Sequence, residues 1–88
     1  MTLSVVFVID PEGPRPVYQQ IADLIEQQIR AGELVPGRVI PSESSICQEH
    51  GVARNTARRA VEELRDRGLV FTVPHRGTYV HPRSEWPD

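Results

Sequence analysis

An 88-residue chain, 39% apolar and 25% charged, has room for one domain around one modest core, which excludes a second, ligand-sensing domain folded within it. A formal net charge of −2 excludes the uniformly basic surface of a nonspecific nucleic-acid coat. No apolar run reaches the length of a bilayer span, the stretch from Leu3 to Ile9 lacks the basic leader and cleavage site of a secretory signal, and a lone Cys47 excludes an internal disulfide. A soluble cytoplasmic protein without a membrane partner is expected.

From the N-terminus, Leu3-Ser4-Val5-Val6-Phe7-Val8-Ile9 is a β-branched run ended by Asp10-Pro11-Glu12-Gly13-Pro14, which predicts an extra strand and a stiff turn over residues 1–16. At Val17 the period becomes helical. Tyr18, Ile21, Ala22, Leu24, Ile25 and Ile29 share one side, polar residues take the other, and Gly32 marks the stop. Residues 34–40 read as a Pro-Gly turn and a very short extended piece. Ser42 suits the N-cap of a brief second helix, with Glu43 where the helix dipole favours an anion. Gly51 ends that helix because the tight turn needs a left-handed backbone, and Val52 plugs the turn into the core.

A third helix, from about Arg54 to Arg67, turns Ala57, Ala60, Val61 and Leu64 inward and Arg54, Arg58 and Arg65 toward water, stopping at Gly68. Strands at 69–73 and 78–80 then flank Pro74-His75-Arg76-Gly77 as a wing. Residues 82–88, polar with two prolines, read as a flexible tail. The expected fold class is mainly α with a small antiparallel β-wing: a winged helix-turn-helix of three helices plus a hairpin over residues 17–81, with an extra N-terminal strand.

Charge is segregated along the chain. Residues 54–76 hold six arginines against Glu62, Glu63 and Asp66, whereas residues 10–49 hold seven carboxylates against three arginines. All ten basic residues are arginine, which suits bidentate contacts to phosphate or guanine and is equally what coding bias in a GC-rich genome produces.

These residues resemble the GntR family of bacterial transcription regulators. The likeness is carried by Pro16-Val17-Tyr18-Gln19-Gln20-Ile21, Gly32-Glu33-Leu34 with Pro36-Gly37, Ile40-Pro41-Ser42-Glu43, Gly51-Val52-Ala53-Arg54-Asn55-Thr56-Ala57-Arg58, Leu64 with Gly68-Leu69-Val70, and Arg76-Gly77-Thr78-Tyr79-Val80. It implies a winged helix-turn-helix that reads double-stranded DNA, a short inverted repeat, as a homodimer. It also implies DNA contacts from Arg54, Thr56 and Arg58 on the recognition helix and from Arg76 and Gly77 at the wing. Independently of the family, Arg54 and Arg58 lie one turn apart near a helix N-terminus, where backbone amides favour phosphate, and Asn55 is an adenine-pairing type. Arg59, Ser42, Ser44 and His75 complete the candidate DNA-binding set. The competing view of Arg54 and Arg58 makes them an ordinary solvated helix face, paired with Glu62 in i, i+4 fashion.

Three positions depart from the family pattern. Ser44 replaces a customary arginine, which implies an altered sequence preference. Ala53 replaces a serine or threonine and leaves the recognition helix without a capping oxygen. His75 replaces a glycine at the wing tip, either as a phosphate or minor-groove contact that titrates near neutrality or as an indifferent turn residue. Family members carry an effector domain that also dimerises; no such small-molecule domain is expected in these 88 residues. The strand from Leu3 to Ile9 is then the candidate dimer surface, its alternative being a place in the wing sheet of its own domain.

The alternative function is a winged-helix protein-interaction module whose arginines are only solvated. An enzyme is not expected, because no nucleophile has a recognisable base and no glycine-rich loop precedes a helix. Neither cofactor nor metal is expected: Cys47, His50, His75 and His81 form no CxxC or HxxxH pattern.

Overall fold

The computed structural model describes residues 9–87. Helix α1, Val17–Arg30, forms where the sequence is amphipathic, and Ile21, Ala22, Ile25 and Ile29 are all buried. Its entry is held in part by the Gln20 side chain. Gln20 Nε2 donates to the Asp10 and Arg15 carbonyls, each at 2.7 Å, while Gln20 Oε1 accepts from the Asp10 amide, so the Pro-rich turn is stapled to the first turn of the helix. The proposed strand from Leu3 to Ile9 lies, apart from Ile9, outside the described residues. Ile9 itself is not in a strand and packs half-buried against the core.

Helix α2, Glu43–His50, begins as the sequence predicts: Ser42 Oγ accepts from the Ser45 amide at 3.1 Å. It ends at Gly51 in the left-handed region, φ 64°, which redirects the chain into helix α3, Arg54–Asp66. The inward face of α3 is Ala57, Ala60, Val61 and Leu64, as expected. Ala57 and Ala60 expose none of their surface, and their small size lets α3 lie close against α1.

Strands β1, Val70–Val73, and β2, Gly77–Val80, pair antiparallel with Val70 opposite Val80 and Thr72 opposite Thr78. Leu69, Val70 and Val80 are buried and root this hairpin in the helical core. The short extended piece before α2 has a partner that sequence does not reveal. It runs along the other edge of β2, with the Ile40 amide donating to the Thr78 carbonyl (2.9 Å) and the Val80 amide donating to the Arg38 carbonyl (2.9 Å). The wing is thereby supported from the side, and Ile40 joins the core.

Two further ties differ from, or go beyond, the sequence expectation. In place of a flexible tail, residues Arg83–Glu85 form a 3-10 turn, and Trp86 packs partly buried against the core with Nε1 donating to the His81 carbonyl at 2.8 Å. The apolar area of one indole outweighs the polar composition around it. Between α1 and α3, Arg67 reaches Asp23, Glu26 and Glu63 at 2.9, 2.9 and 3.0 Å, and Arg15 and Arg30 complete the cluster from α1 and the turn before it. Partial burial pushes the Asp23 and Glu26 carboxyls up, but hydrogen bonds from Arg15 and Arg67 to the first, and from Arg30 and Arg67 to the second, outweigh it and hold both below the ordinary carboxylate value.

Candidate nucleic-acid interface

The N-terminal ends of α2 and α3 and the turn of the wing converge on one open cleft of about 460 Å³. Ser42, Ser44, Arg54, Arg76 and Gly77, five of the residues singled out from sequence, line it together with Val39, Thr78 and one carboxylate, Glu43. They come from three separate segments. The helix-turn-helix bend at Gly51 brings Ser44 to Arg54, whose Nη2 donates to Ser44 Oγ at 3.0 Å. A hydroxyl positions a guanidinium without cancelling its charge, so Arg54 remains available to an anion. Ser42 lines the same cleft, but its hydroxyl is engaged as the cap of α2.

Along the exposed side of α3, Arg58 Nη2 donates to Asn55 Oδ1, and Arg58 Nε lies 3.8 Å from Glu62 Oε1. The i, i+4 pair weighed from sequence therefore exists, but it is long and exposed on both sides, a geometry worth about 0–1 kcal/mol. Thr56, by helical spacing on the opposite flank of α3 from Arg54 and Arg58, is half-buried and does not line the cleft. Arg59 stands apart from it. Its guanidinium stacks 4.1 Å over the Tyr18 ring, next to Glu62, Glu63 and Asp66 and toward α1, so this member of the sequence-based set does not share the cleft.

At the wing tip the Arg76 amide donates to the Val73 carbonyl at 3.0 Å, closing a turn with Pro74 and His75 at its corners. His75 adopts a positive φ of 65°, the requirement of the second corner in a type II turn, which is why glycine suits this position. Gly77 follows with φ 129°, and a β-carbon there would stand 3.4 Å from Val39 Cγ1. The two residues set the backbone on either side of Arg76, which is exposed.

The distribution of partners shows how a chain of negative net charge carries a positive face. Arg15, Arg30 and Arg67 are bound to carboxylates within the α1–α3 cluster. Around the cleft and wing, Arg54 and Arg65 meet only hydroxyls, and Arg38 and Arg76 have no side-chain partner among the described residues. The arginines without a carboxylate partner are thus gathered on the α2–α3–wing side, beside Glu43 at the cleft, where they suit a polyanion. Arg38 and Val39 were not singled out from sequence. The signal available was the β-branched pair Val39-Ile40 between two prolines, a strand too short to assert without its partner. Among the described residues no three His, Cys, Asp or Glu side chains gather as a metal ion would require.

The profile of "Bacterial regulatory proteins, gntR family" matches residues 17–80. The mannosyl-D-glycerate transport/metabolism system repressor MngR of Escherichia coli (strain K12) is 44% identical over 68 residues, covering 77% of this chain and 28% of the repressor. The chain thus spans less than a third of that relative's length. Among solved structures, YtrA from Sulfolobus acidocaldarius, a GntR-family transcription factor, superposes with a TM-score of 0.77 at 36% identity, covering 88% of this chain and 81% of YtrA. AraR(DBD) in complex with operator ORX1 superposes with a TM-score of 0.73 at 35% identity, covering 78% of this chain and 89% of that one.

Proposed function

Since the chain belongs to the gntR family of bacterial regulatory proteins, matched from residue 17 to residue 80, we propose that it binds double-stranded DNA sequence-specifically to regulate transcription. The observation that carries this is the convergence of Arg54, Ser44 and Arg76 on one cleft, with no carboxylate partner for either guanidinium among the described residues. Helix α3 enters the major groove by its N-terminal end, with Arg54 and Arg58 at base edges or phosphates and Asn55 beside them, and Arg76 reaches the adjacent backbone or minor groove. Operator-bound AraR(DBD), of the same fold, supports this mode.

For Arg58 to reach DNA it exchanges Asn55 and the loose Glu62 pair for a phosphate or guanine, a small cost because both partners are exposed. Ser44, with a shorter reach than the arginine customary there, supports Arg54 and leaves part of the specificity to other positions. Two copies place their recognition helices in successive major grooves, roughly 34 Å apart, on an inverted repeat. Such a regulator acts in the bacterial cytoplasm, in keeping with a structure in which none of the described helices is long and apolar enough to cross a membrane.

Selection of bound fragments from a bacterial genomic DNA pool tests this reading. Recovery of a common motif arranged as a short inverted repeat is the expected result, whereas fragments without a shared motif, or none retained at low salt, would refute it.

A further inference from the structure

Arg54, Arg58 and Arg65 lie on one stripe of α3, since steps of four and seven residues return to within about 40° of the same direction. The obvious assignment gives all three the same role. The structure separates them. Arg65 stands roughly 16 Å further along the helix than Arg54, beside the hairpin, and its Nη1 donates to Thr72 Oγ1 at 2.8 Å. Thr72 Oγ1 in turn lies 3.0 Å from Thr78 Oγ1, directly across the hairpin.

This contact falls where the apolar anchoring of the wing gives out. Val70 and Val80 form a buried cross-strand pair, and two residues further out on the same face the pair is Thr72 and Thr78, with Thr72 exposed. Beyond it the chain turns through Pro74, His75, Arg76 and Gly77, all exposed. On its far edge β2 is held by the segment around Val39, but β1 has no strand on its outer side among the described residues. The Arg65–Thr72–Thr78 relay is therefore the tie between the outer half of β1 and the recognition helix. We propose that Arg65 is a positioning residue, one that fixes the wing against the recognition helix and so sets where Arg76 meets DNA, and is not itself a DNA contact.

The inference rests on the DNA-binding function proposed above, and the test keeps the two apart. Thr72→Val removes the relay's central hydroxyl while leaving every charge and the β-branched shape in place. The probe is a duplex recovered by selecting the unaltered chain against a random-sequence pool. Thr72→Val is expected to weaken its binding about fivefold and to flatten the dependence of log K on log salt by about 0.9, the loss of one phosphate contact. Arg76→Ala is expected to do the same, and the double variant to be no weaker than either single one, because both remove the same contact. Thr72→Ser restores binding.

If Thr72→Val binds like the unaltered chain, or if the losses from Arg65→Ala and Arg76→Ala multiply, Arg65 does not act through the wing and the proposal is overturned. Should no duplex be recovered, the DNA-binding function fails, and backbone ¹⁵N relaxation of residues 74–77 in the free protein still decides the positioning role. Increased motion there in Thr72→Val supports the relay, and unchanged relaxation overturns it.

Discussion

The recognition helix begins without a cap, and the protein contains its own control for what that costs. Ser42 and Ala53, the residues preceding α2 and α3, occupy the same backbone region, at φ −68°, ψ 164° and φ −69°, ψ 156°. Ser42 Oγ accepts from the amide three residues on, whereas the equivalent amide of α3, that of Thr56, has no side-chain cap. A serine at position 53 therefore meets a backbone already in the capping conformation. An N-cap serine contributes about 1 kcal/mol relative to alanine, and in a domain of this size that raises Tm by roughly 4–8 °C. Circular-dichroism melts of Ala53→Ser at pH 7 are expected to show this rise, and Ser42→Ala a comparable fall. A fall for Ser42→Ala together with an unchanged or lowered Tm for Ala53→Ser would refute the placement of the helix start.

Other predictions follow from the charge cluster and the wing. Asp23 and Glu26 titrate lower folded than unfolded, so their stabilisation is complete above the ordinary carboxylate range, about pH 4, and is lost as pH falls through the lower folded values. Tm is expected to hold between pH 7 and 5 and to drop below 4, and Arg67→Gln to lower Tm at pH 7 and flatten the acid limb; an acid limb as steep as the parent's contradicts this. Gly77→Ala forces a methyl group into the φ 129° conformation against Val39 and is expected to cost about 1–3 kcal/mol in a thermal or urea melt. His75→Gly relaxes the positive φ at the wing tip. As a turn residue, His75 is expected to leave DNA affinity unchanged when replaced by glycine, whereas weaker binding by His75→Gly makes it a DNA contact.

The helices and hairpin were legible in the sequence because each carries its own local signal. Ile21, Ile25 and Ile29 mark the buried stripe of α1, Ser42 and Gly51 bracket α2, and Pro74 and Gly77 bracket the wing turn. The convergence of Arg54 and Arg76 was legible only through the resemblance, since nothing in spacing says that residues 22 apart share a cleft. What sequence left hidden depends on pairs distant along the chain. Arg67 with Asp23 and Glu26, Arg59 over Tyr18, and residues 37–40 along β2 each join segments whose separate compositions are unremarkable for a solvated face or a loop. Trp86 shows the converse, where one large apolar side chain ordered a stretch whose average composition suggested a tail.

The central claim is that the guanidinium groups of Arg54 and Arg58 engage DNA. Affinity for a duplex selected by the unaltered chain, measured across a salt series for that chain and for the Arg54→Ala/Arg58→Ala double variant, tests it most directly. Binding by the unaltered chain is expected to fall steeply with salt. The variant is expected to bind at least tenfold more weakly at low salt, with its slope reduced by about 0.9 for each arginine that meets a phosphate. Equal affinities and equal slopes for the two proteins would contradict the account.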